Sequence, residues 1–315
     1  MKVSQVGILV IILFLLIGGT GCNFFARKNV VDGAEAFKNR KFDEAEALFR
    51  LAVQRAPADS VEGKTAQLFL ARTLHSQYAA SRDKKEKAEE AIREYQKVLE
   101  VNPADNSSFK AVANLYDNLG KTEEWKKWIT DRSENTQIPN EQRAEAYTTL
   151  ASKENTCAND ITEDPAVKKT VQKDGKPAFS FSKPEKPEDL EKLKGCIQKG
   201  TELINKALAL ETDQVKNAKS INIKPMSDKD LKAINELLKP FESAKSYNTS
   251  LLIQSMRLAE MEGRTADKDR FKQEADAARE RFKEIGDVTK AIKDEQDERA
   301  KAAEAAAGNT NTANK

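Results

Sequence analysis

The stretch that most constrains the fold of this chain runs over residues 33–57 and reads GAEAFKNRKFDEAEALFRLAVQRAP. Its apolar residues fall three and four apart in two blocks, which predicts two consecutive helices. Small side chains at Gly33 and Ala45 allow the two helices to approach closely, and phenylalanines fill the space beside that contact. Pro57 ends the second helix, because its ring clashes with a further turn and it has no N–H to donate. The pattern consists of Gly33, Phe37, Phe42, Ala45, Phe49, Ala52 and Pro57.

The same spacing returns several times further along the chain. Ala91, Tyr95, Val98 and Pro103 repeat the offsets of Ala45, Phe49, Ala52 and Pro57. Further matches are Phe109, Val112, Ala113, Tyr116 and Gly120, then Tyr147, Leu150 and Ala151, and finally Ile204 and Ala207. This skeleton resembles the tetratricopeptide repeat (TPR), a helical hairpin of about 34 residues. The resemblance implies an all-α fold, a solenoid of stacked helical hairpins over residues 22–285.

A TPR solenoid has no reaction of its own, and its concave groove takes a peptide or helix from a partner protein. One TPR variant clamps a carboxylate with Lys, Asn and Arg at set offsets. Lys110 and Asn114 occupy two of these offsets, but Glu145 and Thr149 stand where the next basic or amide residues belong. We therefore reject that specific ligand. The predicted groove residues are Phe37, Lys38, Lys110, Asn114, Asp117 and Asn118.

The repeats are interrupted between about residues 157 and 189. In this insert KKTVQ and PAFSF flank Asp174-Gly175, a dipeptide favoured in tight turns because both residues tolerate a positive φ. The pattern predicts a small two-stranded β-hairpin. Without the insert, Cys157 and Cys196 fall near adjacent ends of one helical hairpin, at TPR offsets 14 and 16, so we predict a disulfide between them. The alternative is a pair of reduced thiols among helices.

The last part of the chain changes in character. Ser227 is predicted to cap a helix that carries Leu231, Ile234 and Leu237 and that is stopped or kinked at Pro240. A final helical hairpin turns at Gly263. Residues 286–315 are charged and alanine-rich, and we predict a flexible, largely disordered tail there.

The N-terminal sequence has the pattern of a targeting signal. One lysine precedes an apolar run, and small residues lead to Cys22, which predicts an export signal over residues 1–21. The ending is similar to a bacterial lipobox, although Gly19 replaces the usual Leu, Val or Ile. The resemblance implies a lipid on Cys22 and, since Asn23 follows it, the periplasmic face of the outer membrane. The alternative is an uncleaved single-span anchor in the inner membrane over residues 6–25, which is long enough to cross a bilayer.

The composition argues against several classes of function. The net charge is +2 and no basic block stands out, so nucleic-acid binding is not expected. His75 is the only histidine, which disfavours a catalytic triad or a histidine-based metal site. Gly63-Lys64-Thr65 ends like a phosphate-binding loop, but the motif needs a preceding strand, and here Pro57 follows a helix. We predict no cofactor, no metal and no catalysis.

The sequence thus favours a membrane-tethered, noncatalytic adaptor that binds protein partners in the bacterial cell envelope. What is known of TPR lipoproteins suggests assembly of outer-membrane proteins, pili or secretion channels. The alternative is an accessory protein or weak enzyme of cell-wall or polysaccharide metabolism, with any catalysis placed in the insert.

Overall fold

A computed structural model describes residues 24–173 and 175–312. The predicted signal segment, the lipidation site Cys22 and the turn residue Asp174 lie outside the described residues. Within the described part of the chain, none of the helices combines the length and the apolar character needed to cross a membrane. The chain divides into two compact units, of which the first ends at Trp128 and the second begins at Ile129.

Over the described residues the secondary structure consists of helices and one β-hairpin. Helix α1 covers residues 24–38. The helices that follow before the hairpin are α2 (Phe42–Arg55), α3 (Val61–Ala80), α4 (Lys85–Val101), α5 (Asn106–Asn118), α6 (Thr122–Glu134) and α7 (Asn140–Thr162). The hairpin pairs β1 (Lys168–Lys173) with β2 (Lys176–Phe181). After it come α8 (Pro187–Leu208), α9 (Asp213–Lys216), a 3-10 turn (Ala218–Ser220), α10 (Asp228–Met261) and α11 (Thr265–Thr312).

In the first unit α2 packs against α3, α3 against α4 and α4 against α5. Helices α2 and α3 run antiparallel. The Gln77 side-chain amide, near the end of α3, donates to Asp43 Oδ1 and Glu46 Oε2, near the start of α2, at 2.8 Å each. Phe49 is fully buried, and a Cβ added to Gly33 would lie only 2.9 Å from its ring. The close approach predicted between the first two helices is therefore present.

The repeat offsets correspond to equivalent buried positions. Ala45 and Phe49 of α2 are buried, and so are Ala91 and Tyr95 of α4. In the second unit Ile204 and Ala207 of α8 are fully buried as well. The predicted all-α fold of TPR-like helical hairpins with one inserted β-hairpin is confirmed.

In the second unit α10 is the central helix, because it packs against α7, α8, α11 and strand β2. The hydroxyl of Ser227 accepts a hydrogen bond from the Asp230 N–H at 3.2 Å, so the predicted cap is present. Helix α10 does not stop at Pro240 but continues to Met261. Its buried residues Leu238 and Phe241 lie on either side of that proline, so the packing holds the helix together there.

The β-hairpin is confirmed, with Thr170 paired to Phe179 and Val171 to Ala178. Its turn contains Gly175 with φ +74°. The predicted first residue of the insert, 157, is wrong, whereas α8 begins at Pro187, close to the predicted end of the insert. Helix α7 continues to Thr162, because Ala158, Ile161 and Thr162 are buried and keep its end packed.

The predicted start of the tail, residue 286, is also wrong. Helix α11 continues past that point, and Thr289 and Ile292 are buried. Ile285, Val288 and Ile292 fall three and four apart, so they form a narrow apolar stripe that joins the core made by α10. The Arg299 guanidinium donates to the carbonyl oxygen of Met226 at 2.8 Å. A flexible tail stays a prediction only for the charged and alanine-rich stretch beyond Arg299.

Candidate partner-binding site

Helix α5 begins at a well-formed cap. The Asp105 carboxylate accepts hydrogen bonds from the Ser107 N–H at 3.1 Å and from the Ser108 hydroxyl at 2.7 Å. Burial of Asp105 acts to raise its pKa, but the hydrogen bonds from the two serines outweigh it and hold the pKa below its ordinary value. The cap fixes where the helix starts, and therefore which side chains point away from the unit.

Four of the six predicted groove residues lie on one exposed face of α5. The opposite face is buried through Phe109, Val112 and Leu115. On the exposed face the Asn118 side-chain amide donates to Asn114 Oδ1 at 2.8 Å. We name this exposed set the α5 row; it consists of Lys110, Asn114, Asp117 and Asn118.

Aromatic packing holds α5 in place. The ring of Phe109 stacks on Trp128 of α6, with a centroid distance of 5.5 Å and an interplanar angle of 14°. The indole N–H of Trp128 donates to the Phe109 carbonyl oxygen at 3.2 Å. Tyr116 meets the same indole edge to face at 6.3 Å. The α5 row is thus carried by a helix with a fixed orientation within its unit.

The other two predicted groove residues lie at the end of α1. Phe37 is half-buried, and its ring meets those of Phe42 and Phe69 at centroid distances of 5.6 and 5.8 Å. Phe37 therefore belongs to an aromatic cluster of the core. Lys38 is exposed. The structure groups four of the predicted residues on α5 and places these two on a different element.

A cleft of about 320 Å³ in the first unit was missed by the sequence analysis. Its apolar lining comes from α2, α3 and α4, and the polar residues Asn102 and Asp105 also line it. Since Asp105 caps α5, the cleft adjoins the first turn of that helix. A sequence signal existed for part of this lining, because the apolar residues just before Pro57 and Pro103 cannot all be covered where both helices end. These residues are Val53, Ala56, Val98 and Val101, and the lining is completed by Ala58 in the turn after Pro57 and Leu68 of α3.

An ion-pair network crosses α2, α3 and α4 on the same unit. The Glu46 carboxylate accepts from Lys87 at 2.8 Å and from Arg50 at 2.8 Å, and Arg50 also contacts Glu90. Burial would raise the pKa of Glu46, but the hydrogen bonds from Lys87, Arg50 and Gln77 together lower it below the ordinary value. Glu46 therefore serves as a charged link between three helices.

His75 lies half-buried on α3, where its ring meets the edge of Tyr95 at 6.1 Å. Burial lowers the pKa of His75, and the positive charge of Arg82 lowers it further. Burial also raises the pKa of Tyr95 to about 12. Both rings are thus uncharged at neutral pH and pack as part of the helix pair.

The described residues contain no cluster of three or more His, Cys, Asp or Glu placed to hold a metal ion. Gly63 and Lys64 lie in the first turn of α3, which follows the turn at Pro57. The hydroxyl of Ser60 accepts from the Gly63 N–H at 3.0 Å, as in a helix cap. The local structure at this point is therefore a helix-to-helix turn.

The second unit contains the predicted disulfide between Cys157 of α7 and Cys196 of α8, with a Cα–Cα distance of 6.1 Å. This distance lies within the usual range of about 4.4–6.8 Å. The bond joins two helices that also pack directly on each other and on α10. It closes the segment that contains the β-hairpin.

Comparison with known proteins gives fold neighbours only. No protein-family model matches the sequence, and no curated protein matches it either. Among solved structures, the chain is similar to pilF of Pseudomonas aeruginosa, at 13% identity over 80% of this chain and 90% of that one, with a TM-score of 0.32. It is also similar to a putative kinesin light chain with TPR-like repeats from Podosopora anserina, at 15% identity over 82% of this chain and 94% of that one, with a TM-score of 0.32. A TM-score this low transfers no property of either protein to this chain.

Proposed function

We propose that the chain is a noncatalytic scaffold that binds a protein partner through the α5 row. The observation that carries this proposal is the row itself, in which Lys110, Asn114, Asp117 and Asn118 are exposed on one face of a helix whose other face is fixed in the core. Side-chain amides both donate and accept hydrogen bonds, as does the backbone of an extended or helical peptide. A fixed helix also loses little conformational entropy on binding.

The neighbouring cleft gives this surface an apolar component. Its volume of about 320 Å³ lies at the small end of ligand pockets, and it adjoins the first turn of α5 through Asp105. Lys110 follows Asp105 by little more than one helical turn. One peptide segment could therefore place a large apolar side chain in the cleft while its backbone meets the α5 row. This arrangement fits a buried anchor surrounded by polar contacts.

A tether to the bacterial cell envelope completes the proposal. Its support is sequence only: the apolar run and small residues that lead to Cys22. With a lipid on Cys22 the scaffold is anchored at the periplasmic face of the outer membrane. If the segment is not cleaved, the same scaffold is held at the inner membrane by a single span. In both cases the partners are envelope proteins, as in assembly of outer-membrane proteins, pili or secretion channels.

The binding surface is tested by recovery of partners from solubilised membranes with the tagged full chain. We expect the variant Lys110→Glu/Asn114→Ala to lose at least one partner that the unmodified chain recovers, while circular dichroism remains helical. Arg93→Glu is the matched control, because Arg93 is exposed on α4 and its reversal changes the charge equally. Equal recovery by all three proteins would show that this face does not bind.

The tether is tested separately by metabolic labelling with palmitate. We expect the unmodified chain to be labelled and Cys22→Ala to be unlabelled and retained as the uncleaved precursor. Labelling that survives the substitution would contradict lipidation at Cys22. An unlabelled but membrane-bound wild-type chain would instead support the single-span alternative.

A further inference from the structure

The β-hairpin of the second unit is held firmly at its base. Val167 and Phe181 are buried, and the Ser182 N–H donates to the Val167 carbonyl oxygen at 2.9 Å. The Phe181 N–H donates to Glu260 Oε1 of α10 at 3.2 Å, and the Arg257 guanidinium lies 4.6 Å from the Phe181 ring centroid. The two strands therefore leave the helices in a defined direction.

The strand register decides which backbone groups face outward. The bond between Ser182 and Val167 marks these two residues as a hydrogen-bonded pair, and in antiparallel strands such pairs alternate with non-bonded ones. In the observed register the intervening positions direct their N–H and C=O away from the partner strand. On β1 these positions are Lys168, Thr170 and Gln172, and on β2 they are Pro177, Phe179 and Phe181.

The two outer edges differ in their capacity to accept another strand. On β2, Pro177 has no N–H, the Phe181 N–H is already bonded to Glu260, and the strand packs on α10. On β1, Thr170 and Gln172 are exposed and carry intact backbone donors and acceptors. The outer edge of β1 is thus the open edge of the hairpin, and an open edge is a template for pairing.

The charge around this edge selects the partner. Residues 165–184 contain five lysines and one aspartate, and of these lysines Lys168 is already paired with Glu163. Two apolar side chains are exposed among them, with Val171 at 39% and Phe179 at 58%. A strand that pairs with β1 would meet positive charge together with apolar surface. Electrostatic complementarity therefore favours an acidic strand with some apolar side chains.

Other occupants fit these observations less well. Val171 and Phe179 point to opposite faces of the hairpin, so a flat membrane surface can cover only one of them. The sequence next to the turn carries Lys173 and Lys176, which opposes insertion of the tip. A second copy of the chain would bring lysine-rich strands together, and like charges directly opposite each other are destabilising.

We propose that the outer edge of β1 is a docking site for an acidic, extended segment of a partner protein, which adds to the hairpin as a third strand. Main-chain hydrogen bonds to Thr170 and Gln172 supply the pairing, and the lysines of the hairpin select an acidic sequence. This site lies in the second unit and does not depend on the α5 row.

The test uses the full chain in detergent and measures fluorescence anisotropy of a fluorescein-labelled peptide of alternating valine and glutamate. Two control peptides replace glutamate with lysine or carry N-methyl groups on alternate amides, which removes the donors needed for strand pairing. We expect the unmodified acidic peptide to bind at least about tenfold more tightly than either control. The N-methylated peptide leaves the protein unchanged, so its result does not depend on the folding of any variant.

Variants of the chain locate the site. Thr170→Pro removes one outward N–H and is expected to weaken binding of the acidic peptide by about tenfold, whereas Thr170→Ala keeps the N–H and binds as before. Lys169→Glu/Lys176→Glu is expected to weaken binding to a similar extent. Its charge-matched control is Lys229→Glu/Lys283→Glu, two exposed lysines on α10 and α11 of the same unit.

Three results would overturn the proposal. Equal binding of the N-methylated peptide would mean contact by charge alone, without strand pairing. Displacement of the peptide by dihexanoyl phosphatidylglycerol, together with equal binding of the N-methylated form, would identify an anionic lipid as the occupant. A dimer in analytical ultracentrifugation that Thr170→Pro abolishes would identify a second copy of this chain.

Discussion

A Cβ atom built on Gly63 would lie 2.1 Å from the carbonyl oxygen of Pro57, in the turn between α2 and α3. The Pro57 carbonyl oxygen accepts hydrogen bonds from the Ser60 N–H and hydroxyl, and Gly63 lies in the first turn of α3, so neither can move aside cheaply. We expect Gly63→Ala to lower the free energy of unfolding by about 1–3 kcal/mol, the usual cost of overpacking. Chemical denaturation followed by circular dichroism measures this change.

Gly195 provides the matched control, because nothing lies within 4 Å of a Cβ built on it in the middle of α8. There alanine should raise the free energy of unfolding by about 0.5–1 kcal/mol, since glycine loses more backbone entropy on folding. Unfolding of Gly63→Ala at the same denaturant concentration as the wild type would contradict the close contact between Gly63 and the Pro57 carbonyl oxygen.

His75 makes the stability of the first unit sensitive to acid. Its pKa in the folded chain is below 6.5, because the ring is half-buried and Arg82 is near. The neutral ring is favoured in the folded state, so this contribution to stability is complete above pH 6.5 and falls as the unfolded chain takes up the proton below it. We expect the melting temperature to fall less in His75→Gln than in the wild type when the pH is lowered from 7 to about 5. This range lies above that in which most carboxylates titrate. Identical pH profiles for the two proteins would contradict the burial of His75.

At the scale of single residues, the sequence pattern predicted where small side chains allow two helices to come close. Gly33 and Ala45 predicted a close helix pair, and the Gly33–Phe49 contact confirms it. For Phe37 the pattern gave two predictions, a ring packed beside the helix contact and a groove residue, because both have the same spacing. Only the surrounding rings of Phe42 and Phe69 distinguish the two.

At the scale of helices and strands, the disulfide joins α7 to α8 across a sequence separation of 39 residues. Closing a loop of that length stabilises the fold by about 3–4 kcal/mol in the chain-entropy model. We expect dithiothreitol to lower the melting temperature of the wild type and to leave Cys157→Ser/Cys196→Ser unchanged. Cys157→Ser alone should have the same melting temperature as the double variant, because both lack the same bond. If both cysteines can be alkylated in protein isolated from cells without a reducing agent, the bond does not form in the cell.

The C-terminal half of α11 gives a second test at this scale. Ending the chain after Gly286 removes the buried Ile292, the Thr289 hydroxyl that donates to Glu242 at 2.8 Å, and the contacts of Arg299. We expect this truncation to lower the melting temperature clearly, since burial of one large aliphatic side chain alone contributes about 1.5–3 kcal/mol. Ending the chain after Glu304 removes no large apolar side chain and should leave the melting temperature unchanged. If both truncated chains had the same melting temperature, the tail would start at residue 286 as the sequence predicted.

The elements that the sequence predicted well are those with local signals. Asp174-Gly175 indicated the hairpin, and Ser227 indicated the start of α10. The elements with wrong boundaries depend on packing between distant segments. Ile285, Val288 and Ile292 do have helical spacing, but charged residues surround them, and their burial requires α10 as a partner. Likewise α10 continues through Pro240 because its flanking residues are buried against other helices.

For the whole molecule, the two proposed binding surfaces lie in different units. The α5 row lies in the first unit, and the open edge of β1 lies in the second. Substitutions in one unit should therefore leave binding at the other surface intact, because they lie in separately packed cores. The repeat pattern predicted six residues in one groove; the structure places four of them together on α5 and the other two on α1, and their role in binding stays a prediction. It could not predict the β1 edge, since strand register and the Phe181–Glu260 bond are features of the folded chain.

Site-specific photocrosslinking tests most directly whether the α5 row contacts a protein partner, as proposed. A benzophenone amino acid is placed at Asn114 of the row or, as control, at the exposed Arg93 of α4 in the full-length protein in its native membranes. Illumination should give a discrete crosslinked protein from position 114 and none from position 93. A crosslinked protein from position 93 with none from position 114 would contradict the assignment of the partner surface.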